Sequence, residues 1–165
     1  MSSKSLKANK HVCENYGSTF TDGLKLHKLA KKNKLYLGNA PDTFLGAGIQ
    51  TSKELIEKNL IGKIKLGSAF FAFPGVQSYH PNPESWFDKK AGGPVIDMGP
   101  YYLTALVTLL GPVKKVLAIA KKVLNQRIIG IGSRKGKKFR VNCPTSYYVY
   151  LFFKNGSIID LILSF

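Results

Sequence analysis

Apolar residues fall along this chain in two rhythms, and each change of rhythm marks an element. Lys10 to Glu14 is a short apolar-leaning run that reads as a strand end. Asn15-Tyr16-Gly17-Ser18 is turn chemistry. Thr19 or Thr21 can cap the helix that follows, with Asp22 favourable in its first turn and Leu24, Leu26, Leu29 and Ala30 as its apolar stripe. Asn33 and Lys34 end it, and Leu35 to Gly38 reads as a second short strand. Strand, helix, strand is a parallel crossover unit, the building block of α/β domains. Asn39 to Thr43 then breaks the pattern and reads as a domain hinge.

Beyond the hinge, Phe44, Leu45, Ile49, Leu55, Ile56 and Leu60 form an interrupted helical stripe that Asn59 and Gly62 close. Ile64 to Phe73 alternates imperfectly and predicts a strand, and residues 76–94 form a long loop. From Pro94 the chain runs into a helix whose apolar part, Ala105 to Leu110, stops at the breaker Gly111-Pro112. Val113 to Val123 predicts a strand with outward lysines, and Asn125 to Gly132 a weaker one. Ser133 to Arg140 reads as a basic, solvated hairpin tip. Two strong strands, Tyr147 to Phe153 and Ser157 to Leu163, flank the hairpin signal Asn155-Gly156.

Composition adds little to the fold but narrows the function. The chain has 165 residues, 44% apolar and 21% charged, which is ordinary for a globular protein. Its apolar runs fall short of the roughly 20 residues a membrane helix needs, and Met1 to Lys7 lacks the apolar core of a signal peptide. No membrane partner and a cytoplasmic location are therefore expected. Cys13 and Cys143 stand in no metal-binding or redox spacing, so two free thiols and no metal are expected. The net charge of +16 invites a nucleic-acid reading. Against it, 22 of the cations are Lys and 3 are Arg, they are dispersed, and the aromatic residues lie in apolar runs. No specific nucleic-acid partner is expected, and a basic nucleic-acid binder stays as the lesser alternative.

The chemistry concentrates around Gly92 to Thr104. Asp97 and Tyr101 are four residues apart, so on one continuous helix they would share a face. An acid and a phenol there could bind a polar ligand and hand over a proton. The same pair also reads as a helix N-terminal acid and a half-buried core Tyr. His80, between Tyr79 and Pro81 in the long loop, is the other candidate.

Several stretches, in order, resemble the Gfo/Idh/MocA family of NAD(P)-dependent oxidoreductases. Lys10-His11-Val12-Cys13-Glu14 resembles its GKHV-x-CEKP strand, and Ala40 to Thr51 its junction between domains. Leu60 to Ile64 resembles its "IG-basic" helix end. Tyr79-His80-Pro81-Asn82-Pro83, then Gly92-Gly93-Pro94 and Asp97-Met98-Gly99-Pro100-Tyr101, resemble a branch with WHP and GGGP-x-x-DMGPYYLTAL sequences. Val141 to Thr145 and Lys154 to Ser157 resemble its later sheet strands.

The resemblance implies an α/β chain of two parts. Residues 1–41 would be the C-terminal part of a Rossmann-like nucleotide-binding domain. Residues 42–165 would be an incomplete substrate and oligomerisation domain, an α+β unit with a large, mostly antiparallel sheet and helices on one face. The parent chemistry is hydride transfer between NAD or NADP and a sugar or cyclitol hydroxyl. Asp97 would bind substrate hydroxyls, Tyr101 would be the acid/base, His80 would line the substrate side, and Glu14, Asn15 and Pro41 would lie near the nicotinamide. Two departures qualify this. The sequence contains no G-x-G-x-x-G phosphate loop, and Asn15-Tyr16 stands where the family has Lys-Pro. The resemblance thus implies a family member truncated at both ends and weakly active or inactive, with whether it is an enzyme left open. The alternative is a non-catalytic oligomerisation module, with a homo-oligomer formed through the sheet.

Overall fold

The computed structural model describes residues 12–13, 19–39 and 41–165. The chain divides into two compact units, Met1–Asp42 and Thr43–Phe165.

In the first unit, β1 (Val12–Cys13) pairs in parallel with β2 (Leu37–Gly38), and α1 (Phe20–Lys32) connects them. The predicted crossover is present, with short strands. Thr19 caps α1 by accepting a hydrogen bond from the Asp22 amide at 3.2 Å, and Lys31 and Lys32 favour the negative end of its dipole.

The second unit is built on a four-stranded sheet, in the order β3 (Leu66–Ala72), β8 (Ile158–Ser164), β7 (Ser146–Phe153), β4 (Val113–Lys121). Two pairings are antiparallel, and β3 runs parallel to β8. Alternation along β7 and β8 sends Leu151, Phe153, Ile159, Leu161 and Leu163 to one face, where they are buried. The helices of this unit are α2 (Ala47–Glu57), α3 (Pro94–Asp97) and α4 (Gly99–Leu110), and α4 packs on that face through Tyr102, Leu103, Leu106 and Leu109. The opposite face has no covering element among the described residues. It carries Phe70, Leu117, Ile119, Tyr148 and Tyr150, all exposed, with Ile119 at 72%.

A second core lies beyond the sheet edge. Val76, Phe87, Ile129, Phe139, Val141, Cys143 and Phe165 are buried together. It joins the long loop to a small hairpin, β5 (Gln126–Ile128) with β6 (Lys138–Arg140). Here the sequence expectation needs correction, because Lys138 to Arg140 is not solvated loop. Phe139 is the reason: its ring is buried 5.3 Å from that of Phe87, and that contact draws the flanking cations into strand pairing. Cys143 is a free thiol packed in this core, and burial pushes it above its ordinary pKa.

Candidate active site

The helix bearing the two candidate residues is not continuous. α3 (Pro94–Asp97) ends at Asp97, Met98 stands between, and α4 begins at Gly99. Pro100 is the cause. It offers no amide hydrogen for a continuous ladder, and it suits the first turn of a new helix. The expectation of one continuous helix is therefore corrected, and Asp97 and Tyr101 stand on either side of the break at Met98.

Asp97 turns toward the long loop. The Trp86 indole Nε1–H donates to its Oδ1 at 3.3 Å. On the indole lies the His80 ring, 4.7 Å between centroids and tilted by 55°. The His80 Nδ1 accepts from the Asn82 amide at 3.1 Å, which leaves Nε2 as the ring's other nitrogen for a ligand. Asp97, Trp86 and His80 thus form one cluster. Trp86 was not singled out in the sequence, where a loop Trp between Ser85 and Phe87 carries no distinguishing signal.

Burial raises the Asp97 carboxyl above its ordinary range, and the Trp86 hydrogen bond pulls part of the way back. A raised pKa means the folded state holds this proton more tightly than the unfolded chain does, so stability falls as pH rises through the titration of Asp97. Asp97→Asn keeps an oxygen for Trp86 and removes the ionisation. Its thermal midpoint is expected to exceed the parent's near neutral pH, with the advantage gone below about pH 3.9, the unfolded carboxyl's value. A variant less stable than the parent near neutrality would contradict this account.

With Met98, Tyr102, Ala105 and Leu106 of the second helix, and Thr43, Ile49 and Ala69, Tyr101 lines an open cleft of about 380 Å³. The lining is apolar except for three hydroxyls, and it carries no charge. Met98, which separates Asp97 from Tyr101 in the chain, lies at its wall.

Pro41 is buried, in the first unit. Glu14 and Asn15 lie outside the described residues. In the first unit, the N-terminus of α1 does not fit a dinucleotide pyrophosphate. The α1 N-terminus is capped by Thr19, and the carboxylate of Asp22 occupies its first turn, where a pyrophosphate needs free amides and positive potential.

The sequence of residues 49–165 matches the GFO/IDH/MocA C-terminal domain. This chain belongs to the Gfo/Idh/MocA family. No curated protein matches it in sequence. Solved structures of oxidoreductases share its fold. The WlbA dehydrogenase from Bordetella pertussis, in complex with NADH and UDP-GlcNAcA, aligns with a TM-score of 0.73 at 19% identity, over 99% of this chain and 47% of that one. Levoglucosan dehydrogenase in its apo form gives 0.75 at 18% identity, over 99% and 44%. An oxidoreductase from Agrobacterium radiobacter in complex with NAD+, L-tartaric acid and magnesium gives 0.69 at 13% identity, over 99% and 43%. The chain thus spans less than half the length of these structures.

Proposed function

We propose that this chain carries the hydroxyl-binding part of a Gfo/Idh/MocA oxidoreductase site, with a sugar or cyclitol as its ligand. The observation that carries this reading is the Asp97 carboxyl, half-buried and held by one donor. An ionised carboxylate has about four acceptor positions. Trp86 takes one, and the rest suit the vicinal hydroxyls of a polyol. His80 offers Nε2 beside it. Tyr101, beyond Met98, offers a phenolic hydroxyl as the acid/base for the reacting carbon's oxygen. In the family a bound nicotinamide supplies or accepts the hydride. Residues 1–41 are read as the end of a nucleotide-binding domain and 42–165 as the substrate domain. With no G-x-G-x-x-G loop in the sequence and the α1 N-terminus capped by Thr19, the chain by itself is proposed to bind NADH and NADPH weakly and to turn over little substrate.

The exposed sheet face supports a second reading, a homo-oligomer formed through that sheet. Phe70, Ile119, Tyr148 and Tyr150 on one face of the sheet make an exposed apolar patch of the kind that marks interaction surfaces.

One sample of the purified chain tests both. Trp86 is its single tryptophan and touches Asp97, so its emission reports the site directly. Titration with myo-inositol and with D-glucose is expected to change that emission saturably in the millimolar range, and Asp97→Ala to abolish the change. NADH and NADPH are expected to show no saturation at micromolar concentrations. A flat polyol response would remove the site reading, and micromolar NADH affinity would remove the weak-cofactor reading. Light scattering on the same sample should give a multiple of 18.2 kDa, and a monomer mass would dismiss the oligomer.

A further inference from the structure

Around Asp97 the loop 76–93 is unusually well tied for its length. Trp86 sits in a 3-10 turn, Glu84–Phe87, and its carbonyl accepts the Gly93 amide at 2.8 Å. Its neighbour Phe87 is fully buried in the second core, and the Phe87 carbonyl accepts the Asn142 amide at 2.9 Å. At the loop's other end, the Gly130 amide donates to the Gln77 carbonyl at 2.7 Å. Between these ties lies the stretch from His80 to Glu84, and Arg134 spans it. One guanidinium nitrogen of Arg134 donates to Asn82 Oδ1 at 3.1 Å, and another pairs with Glu84 Oε1. That guanidinium holds the Glu84 carboxyl below its usual range. An exposed ion pair contributes little to stability on its own. What this one does is geometric, because it fastens the residues on both sides of Pro83, three positions before Trp86.

We propose that Trp86 is the positioning residue of this site. Its indole N–H fixes the Asp97 carboxyl for a ligand's hydroxyls, and the Arg134 clamp on Asn82 and Glu84 fixes the turn from which Trp86 reaches it. This rests on the polyol reading of Asp97 for its purpose, while the coupling itself stands on geometry alone. A Trp that only satisfied its own N–H could use any nearby carbonyl. This one spends it on a carboxyl that burial already biases toward the neutral form, and among the described residues Trp86 is the only hydrogen-bond donor acting on that carboxyl. Of the titratable groups of the facing loop, His80 packs on the indole and Glu84 is engaged by Arg134, and the others are Tyr79, Asp88, Lys89 and Lys90.

The test follows the Asp97 side-chain carbon by NMR through a pH titration of the full chain. Trp86→Phe keeps a ring against His80 and removes the donor, so the Asp97 midpoint is expected to move up. Arg134→Gln, which leaves Trp86 in place, is expected to move it in the same direction by less. An unchanged midpoint in Trp86→Phe overturns the proposal. Should that variant fail to fold, the parent protein decides the matter. Its Trp86 emission should follow the Asp97 titration and lose that transition in Asp97→Asn, and emission that ignores the titration overturns the coupling. None of these readings needs a polyol. A failed myo-inositol titration beside a shifted midpoint would remove the ligand assignment and leave the Trp86 coupling standing.

Discussion

Phe87→Ala is expected to cost about 3–5 kcal/mol, the range for deleting a fully buried aromatic ring. Phe87 has 0% exposure. Its ring lies 5.3 Å from that of Phe139 and 5.9 Å from that of Phe165, and the Arg127 guanidinium stands 5.1 Å above it. Removing the ring opens a cavity and takes away the face on which Arg127 rests. Arg127 is itself buried, with its amino nitrogens on the carbonyls of Pro74 and Phe165, the latter at 2.7 Å, and its Nε unpaired. A buried guanidinium that loses its aromatic neighbour keeps its desolvation cost. Typical domains hold about 5–15 kcal/mol in total, so the loss is a large share. Urea unfolding should show a lower midpoint at unchanged slope, and a loss under about 1 kcal/mol would mean that the second core does not hold the loop. Because Trp86 is the preceding residue, its emission should also shift toward that of exposed indole before global unfolding.

How much of this was legible in the sequence depends on whether the signal was local. The α1 cap at Thr19, the stop of the last helix at Gly111 and the Asn155-Gly156 hairpin are chain-local, and the structure has them where the pattern put them. The parallel alignment of β3 with β8 joins residues more than ninety positions apart, and period-two alternation carries no information about partners. Lys138 to Arg140 was misread because the density of charge outweighed the single apolar residue, Phe139, that decides its pairing. Of the site, Asp97 and His80 could be named, but not their meeting place. That depends on Trp86, whose partner lies eleven residues away across a loop. The helix break between Asp97 and Tyr101 follows from Pro100, whose missing amide hydrogen a spacing argument does not register. Arg134 was read as one more surface cation, since only the folded loop shows Glu84 beside it.

Gly93→Ala should be as damaging as the loss of Phe87, and for a different reason. Gly93 adopts φ +92° and ψ 160°, a region nearly closed to residues with a Cβ, which costs about 1–3 kcal/mol to impose. A Cβ there would also meet the Pro144 carbonyl oxygen at 2.7 Å, a backbone atom that cannot swing aside. Overpacking of this kind adds about 1–3 kcal/mol more. Gly111 separates the two effects. It has φ +83° and ψ −160°, yet a Cβ at Gly111 meets nothing within 4 Å. Gly111→Ala should therefore show the backbone cost alone, and the difference between the two variants in urea unfolding measures the close approach of Pro144. Equal losses would mean that the Pro144 contact relaxes freely. The position of Gly93 gives the loss a functional side. Its amide donates to the Trp86 carbonyl at 2.8 Å, and its carbonyl accepts from the Asp97 amide at 3.2 Å. The one residue thus ties the turn that carries the indole to the short helix that carries the carboxyl. Displacing it by even a few tenths of an ångström lengthens a side-chain bond already at 3.3 Å, and bonds at that length weaken quickly. In Gly93→Ala protein that remains folded, the Asp97 midpoint should rise toward that of Trp86→Phe, whereas in Gly111→Ala it should stay at the parent's value.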